Sequence, residues 1–223
     1  MAWQGAITWD LYVITDAGLA RGRSHQAVLE AAIAGGATVV QYREKAASTR
    51  QMVQEAGELC ALARQASVPL IVNDRIDVAL AVDADGVHIG QDDMPAQLAR
   101  RLIGPDKILG VSVSTLDEAL QAVQDGADYL GVGPIFATPT KPDAAPPIGM
   151  EGLRLICQQV SIPIVAIGSI NATNAADAIA AGADGVAVVS AVVAADDVAV
   201  AARQLRAIVV DARSRHAEQR GKR

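Results

Sequence analysis

The chain has 223 residues, is 51% hydrophobic and carries a formal net charge of -6. That length and apolar share suit one domain with a sizeable core, and the acidic balance argues against a chain that as a whole binds nucleic acid. No apolar run reaches the ~18 residues that a membrane helix needs. The opening stretch MAWQGAITWD lacks a basic segment followed by an apolar one, so no signal peptide is expected and a cytoplasmic location follows.

Short apolar runs alternate with longer helical stretches. The runs are 11–15, 38–43, 70–73, 86–89, 108–113, 129–135, 164–167 and 186–193. The stretches between them, such as STRQMVQEAGELCALARQA and STLDEALQAVQDG, space Ala, Leu, Val and Ile three and four residues apart. Several open on Ser, Thr or Asn and close on Gly, the usual helix start and stop signals. Aromatics are only 3% of residues, so the core is built from small and β-branched side chains. Strands buried on both faces under alanine-rich helices have that composition.

A weak repeat runs through GGATVVQ, ADGVHIG, GADYLGVG and GADGVAVV, each leaving a helix and entering a strand. Eight alternations without a second composition block predict a single (β/α)8 barrel, one domain over 1–223 with a flexible basic tail at 212–223. An open doubly wound sheet is the alternative, but no GxGxxG fingerprint is present. Cys60 and Cys157 fall in helical stretches and are expected to be free thiols.

In a barrel, chemistry sits at the C-terminal ends of the strands. The second run ends QYREK, and period-two spacing turns Gln41, Arg43 and Lys45 to one side. The third ends in Asn73 and Asp74. Asn can read a heterocycle and Asp can hold a hard cation, although both also serve as turn and cap residues. His88, inside the fourth run, reads as a hydrogen-bonded interior histidine rather than a base. Asp92 and Asp93 follow it. Carboxylates beside cations cancel each other unless a metal and a diphosphate lie between them. The fifth run carries Ser112 and Ser114. The sixth leads into GPIFATPTKPD, where Thr138, Thr140 and Lys141 can donate to phosphate and prolines restrict the loop. Gly168-Ser169 and Ser190 end the last two runs, the common phosphate site of this fold.

The motifs LYVITD, QYREK, VNDRIDVAL, GVHIGQDD, GVSVST, YLGVGPIFATPTK, IPIVAIGSI and GADGVAVVS stand in that order from residue 11 to 190. Together they resemble the thiamine phosphate synthases. The resemblance implies an Mg2+-dependent transferase. It joins 4-amino-2-methyl-5-hydroxymethylpyrimidine diphosphate to a thiazole phosphate, or its carboxylate, by dissociative loss of diphosphate and attack of the thiazole nitrogen.

Carried over to this sequence, Gln41, Tyr42, Arg43, Glu44, Lys45, Asn73, Ser112 and Lys141 would bind the pyrimidine diphosphate. Arg43, Lys45, Lys141 and Ser112 would act in catalysis, and Asp74 and Asp93 would bind Mg2+. Thr138, Pro139, Thr140, Ser169, Val189 and Ser190 would hold the thiazole phosphate. Two positions depart from the common pattern: Ser169 stands where many members have Gly, and Ser114 where many have His. The implied partners are the two small-molecule substrates, with no nucleic acid or membrane and a homodimer left open. The rivals are a thiazole tautomerase of the same fold, a sugar-phosphate isomerase or epimerase, and a non-catalytic sensor of thiamine precursors.

Overall fold

A computed structural model describes residues 7–138 and 145–220, with side chains through His216. Eight parallel strands close into a barrel in sequence order. They are β1 (Leu11–Ile14), β2 (Val39–Tyr42), β3 (Leu70–Asn73), β4 (Gly86–Ile89), β5 (Ile108–Val113), β6 (Tyr129–Val132), β7 (Ile164–Ala166) and β8 (Gly185–Val188). Pairing is continuous around the ring, from Tyr12 beside Val39 in β1–β2 to Leu11 beside Val186 in β1–β8. This is the single barrel that the alternation predicts.

Strand residues divide by period two. Leu11 and Val13 point outward into the layer beneath the helices, while Tyr12 and Ile14 point into the barrel with Trp9, Val39, Ile71, Ile108, Tyr129, Val165 and Ala187. Three of the scarce aromatics lie inside the barrel, where Trp9 packs tilted against Tyr129 with ring centroids 4.3 Å apart.

The sequence repeat has a physical basis in a device used four times. Thr38, Asp85, Asp128 and Asp184 each precede an even-numbered strand. The backbone N–H of each donates to the carbonyl of Leu11, Leu70, Leu109 or Ile164 respectively, at 2.8–3.2 Å. In return each side-chain oxygen accepts the N–H of that same residue, at 2.7–3.1 Å. Two residues earlier the chain turns with positive φ at Gly36, Asp83, Gly126 and Gly182. Only Asp83 lacks the freedom of glycine there, and aspartate tolerates this conformation better than most residues.

The helices start as their sequences direct. Ser48 and Gln51 form a capping box at the head of α2 (Thr49–Gln65), and Thr115 and Glu118 do so for α5 (Leu116–Gln124). Two strand ends need correction. The run 129–135 stops being a strand at Val132, because Pro134 has no N–H for the ladder. The run 186–193 stops at Val188, and Ser190–Val193 is a short helix despite its valines. The last helix spans Val198–Arg220 and takes in most of the basic tail; on it, Arg213 contacts the buried Asp10 and Arg215 pairs with Asp211 at 2.8 Å. Both cysteines are free thiols, and burial pushes Cys60 up to about 11 and Cys157 up to about 12. Among the described residues no helix is long and apolar enough to cross a membrane.

Candidate active site

A cavity of about 370 Å³ opens at the C-terminal ends of the strands. Gln41, Arg43 and Lys45 all line it, as their spacing requires. Arg43 is held by an ion pair with Asp16 at the end of β1, and its backbone N–H donates to Thr15 Oγ1 at 3.3 Å. Lys45 Nζ stands 3.8 Å from Asp74 Oδ2.

Tyr42 and Glu44 do not reach the cavity. The same alternation that turns Arg43 inward turns them out. The Tyr42 hydroxyl donates to Glu55 on α2 at 2.7 Å. Glu44 contacts His25 Nε2 at 3.2 Å and accepts from Ala46 N at 2.6 Å. Burial works to raise the Glu44 carboxyl, but the bonds from Ala46, His25 and Ala47 outweigh it and hold it below the ordinary range. The side chains of these two residues brace the segment that carries Arg43 and Lys45.

Asn73, Asp74 and Asp93 line the next sector of the cavity, with Asp92 beside them. Asp93 Oδ2 accepts the Gly90 N–H at 2.7 Å. Burial, a hydrogen bond with Asp93 and the charge of Asp93 push the Asp74 carboxyl up to about 6, against the pull of Lys45 and Arg43. Two carboxylates crowded in this way form an oxygen-only pair that a hard dication would relieve. Among the described residues no group of three or more His, Cys, Asp or Glu is placed to hold a metal ion by itself. The pair offers the hard oxygen donors that a magnesium-type ion would take.

Ser112 lies on the cavity wall, with Gln91 Nε2 donating to its carbonyl at 2.7 Å. Ser114 is occupied by Glu118, which accepts from its N–H at 2.6 Å and its hydroxyl at 3.0 Å. Thr138 lies on the wall, while Pro139, Thr140 and Lys141 fall outside the described residues. Across the mouth, Gly168, Ser169, Val189 and Ser190 line the side formed by β7 and β8. Ser169 adopts φ 52 and its hydroxyl donates to Ala137 O at 2.7 Å, tying this loop to the one after β6. Asp16 and Glu118 also belong to this site, through their bonds to Arg43 and Ser114. Asp16 stands at a strand end, where the barrel rule directs attention, and Glu118 is legible as the last residue of a capping box.

Gly168 is a tight point of the mouth. It adopts φ 103, and a Cβ there would come within 2.6 Å of Pro134 Cα and 2.8 Å of Ile135 N. Gly168→Ala is expected to lower stability by about 3 kcal/mol, from backbone strain and overpacking together. Thermal melting checks this, and a variant that melts with the parent would refute it.

The family model described as "Thiamine monophosphate synthase" matches residues 11–192. The thiamine-phosphate synthase of Chloroflexus aurantiacus is 77% identical over 203 residues, covering 91% of this chain and 94% of that protein. The thiamine-phosphate synthase of Moorella thermoacetica is 58% identical over 207 residues, covering 93% and 99%. Among solved structures, the thiamine phosphate pyrophosphorylase from Pyrococcus furiosus superposes with a TM-score of 0.86 at 47% identity, covering 92% of this chain and 98% of that one.

Proposed function

The chain belongs to the thiamine monophosphate synthase family, and from that premise we propose that it couples 4-amino-2-methyl-5-hydroxymethylpyrimidine diphosphate to 4-methyl-5-(2-phosphoethyl)thiazole or its carboxylate. The observation that carries this reading is the division of one cavity. Arg43, Lys45, Asp74 and Asp93 occupy the β2–β4 side, and the loops after β7 and β8 occupy the other. In a closed ring of eight, β3 lies opposite β7. Two anionic substrates held at these two sides bring their uncharged rings together between them. A site for a single phosphate needs only one of the two.

The bond from the pyrimidine methylene to the diphosphate oxygen breaks, and the departing diphosphate keeps the electron pair. Positive charge develops on the methylene carbon. The lone pair of the thiazole nitrogen then forms the new C–N bond; with the uncarboxylated thiazole phosphate no proton has to move and no general base is needed, whereas the carboxylate must also lose CO2. Arg43 and Lys45, with Lys141, hold the leaving oxygens and stabilise the charge that grows on them. Asp74 and Asp93 hold Mg2+, which neutralises diphosphate charge when bound. Asn73, Gln41 and Ser112 hold the pyrimidine. Thr138, Pro139 and Thr140, with the backbone at Ser169, Val189 and Ser190, hold the thiazole phosphate. The Ser114 hydroxyl, already given to Glu118, is poorly placed to carry a proton, which disfavours a tautomerase.

The test mixes the purified chain with both substrates and Mg2+ and follows thiamine phosphate by oxidation to its fluorescent thiochrome form. Product is expected, and EDTA is expected to abolish it. A folded chain that yields none with the pyrimidine diphosphate removes the synthase reading.

A further inference from the structure

At the cavity floor, where Gln41, His88 and Ser112 line the wall, side chains from five strands join in one hydrogen-bond chain. Gln41 Nε2 donates to the Tyr12 hydroxyl at 2.8 Å. The hydroxyls of Tyr12 and Tyr129 are 2.8 Å apart. The Tyr129 hydroxyl is 2.8 Å from His88 Nδ1, and His88 Nε2 is 2.8 Å from Ser112 Oγ. Only the two ends, Gln41 and Ser112, belong to the substrate-binding set above. The three residues between them have no part in it.

Counting protons gives this chain a direction. Burial pushes both phenols far above their ordinary range, so each keeps its single proton. Tyr12 accepts from Gln41 and therefore gives its proton to Tyr129. Tyr129 has then accepted from Tyr12 and gives its own proton to His88 Nδ1. With Nδ1 accepting, the ring carries its proton on Nε2 and donates to Ser112 Oγ. Ser112 has accepted from inside, and its hydroxyl proton is left for the cavity. At the other end, the Gln41 amide nitrogen is committed inward and its oxygen is left for the cavity.

Two glycines show that the chain is built into the barrel. A Cβ on Gly110 would come within 2.3 Å of the Tyr129 hydroxyl, and one on Gly131 within 3.0 Å of His88 Cε1. Glycine weakens a strand interior, so its presence in both β5 and β6 implies that side chains must cross there. Trp9 packs under Tyr129 and closes the chain off from below.

We propose that Tyr12, Tyr129 and His88 are positioning residues, whose one-way hydrogen-bond chain turns the Gln41 oxygen and the Ser112 hydroxyl proton toward the cavity, so that the floor selects an amino-bearing pyrimidine over its oxo counterpart. This rests on the synthase reading for the identity of the heterocycle. The acceptor at Gln41 suits an exocyclic amino group, which can only donate outward. A 4-oxo pyrimidine would set oxygen against oxygen. A reversed chain would have the opposite preference: His88 would be protonated on Nδ1, Ser112 would accept, and Gln41 would present its amino group. Hydrogen bonds in series polarise one another, which favours one direction throughout over a mixture.

The first readout is the tautomer of His88 in the substrate-free chain, by long-range proton–nitrogen correlation with labelled histidine. The chain has three histidines, so His88→Asn assigns the signal. The Nε2–H form is expected, and an Nδ1–H form would overturn the proposal. The second readout is the ratio of kcat/KM for the amino over the 4-oxo pyrimidine diphosphate. Tyr129→Phe keeps the ring on Trp9 but cuts the chain, and is expected to lower that ratio about tenfold. An unchanged ratio would overturn the proposal. Tyr12→Phe cuts one link earlier and replaces Tyr129→Phe if that variant does not fold. A wild-type chain that forms no thiamine phosphate would defeat the synthase reading alone, and the tautomer would then decide the chain's direction by itself.

Discussion

Arg43→Ala is expected to lower kcat about 10²- to 10³-fold while the barrel stays folded. The guanidinium lines the β2–β4 side of the cavity, where the proposed reaction puts the diphosphate, and is held there by Asp16. In the proposed reaction its contact with substrate would strengthen as charge gathers on the leaving oxygens, so its loss would fall on the transition state more than on binding. A pre-set donor of this kind contributes a factor of that size in other charge-stabilising sites. Stability should change much less. Asp16 keeps the Leu19 N–H, which it accepts at 3.1 Å, and loses only its charged partner, at a cost of about 1 kcal/mol. Arg43→Lys restores the charge without the planar fork and should fall between the two. Steady-state kinetics with the thiazole phosphate saturating would show the effect, and turnover equal to the parent's would remove Arg43 from the reaction. Asp16→Asn separates holding from charge: it leaves Arg43 chemically intact but frees its position, and should cost about tenfold.

The barrel was legible because a parallel strand covered on both faces is a continuous apolar run, and eight such runs survive any uncertainty at their ends. The ends themselves were less so. Pro134 stops β6 by lacking a donor, whereas the valines before Val193 favour a strand and are overruled by a helical turn. At the site, period two was enough to group Gln41, Arg43 and Lys45, and applied strictly it also sends Tyr42 and Glu44 outward. The partner of Arg43 was harder to see, because Asp16 is 27 residues away and only closure of β1 onto β2 brings them together. The floor is harder still. Gln41, Tyr12, Tyr129, His88 and Ser112 follow no spacing, since each comes from a different strand, and what links them is the barrel's inward face. Gly110 and Gly131 read as strand weaknesses until the rings that cross them are known.

Asp93→Asn is expected to abolish Mg2+-dependent turnover and, in the metal-free chain near pH 8, to raise stability by about 1 kcal/mol. The two effects have one source. The Asp74 carboxyl is pushed up to about 6 by burial first and by Asp93 second. A carboxyl whose folded value lies above its unfolded value binds its proton more tightly when folded. Stability is therefore highest below the unfolded value, falls as pH rises from about 4 to about 6, and stays reduced above that. A tenfold difference in proton affinity between the folded and unfolded chain corresponds to about 1.4 kcal/mol, and only the part due to Asp93 is recovered by the amide. Asparagine can still accept the Gly90 N–H through its side-chain oxygen, so the loop after β4 need not lose its anchor. Mg2+ should relieve the same crowding: it should raise the melting temperature of the parent more at pH 8 than at pH 5, and that of Asp93→Asn little at either pH. Melting curves at both pH values, with and without Mg2+, test this directly. A metal-free Asp93→Asn chain that melts below the parent at pH 8 would mean that the two carboxylates are not in conflict, and that stability was not given up at this pair for the sake of a cation.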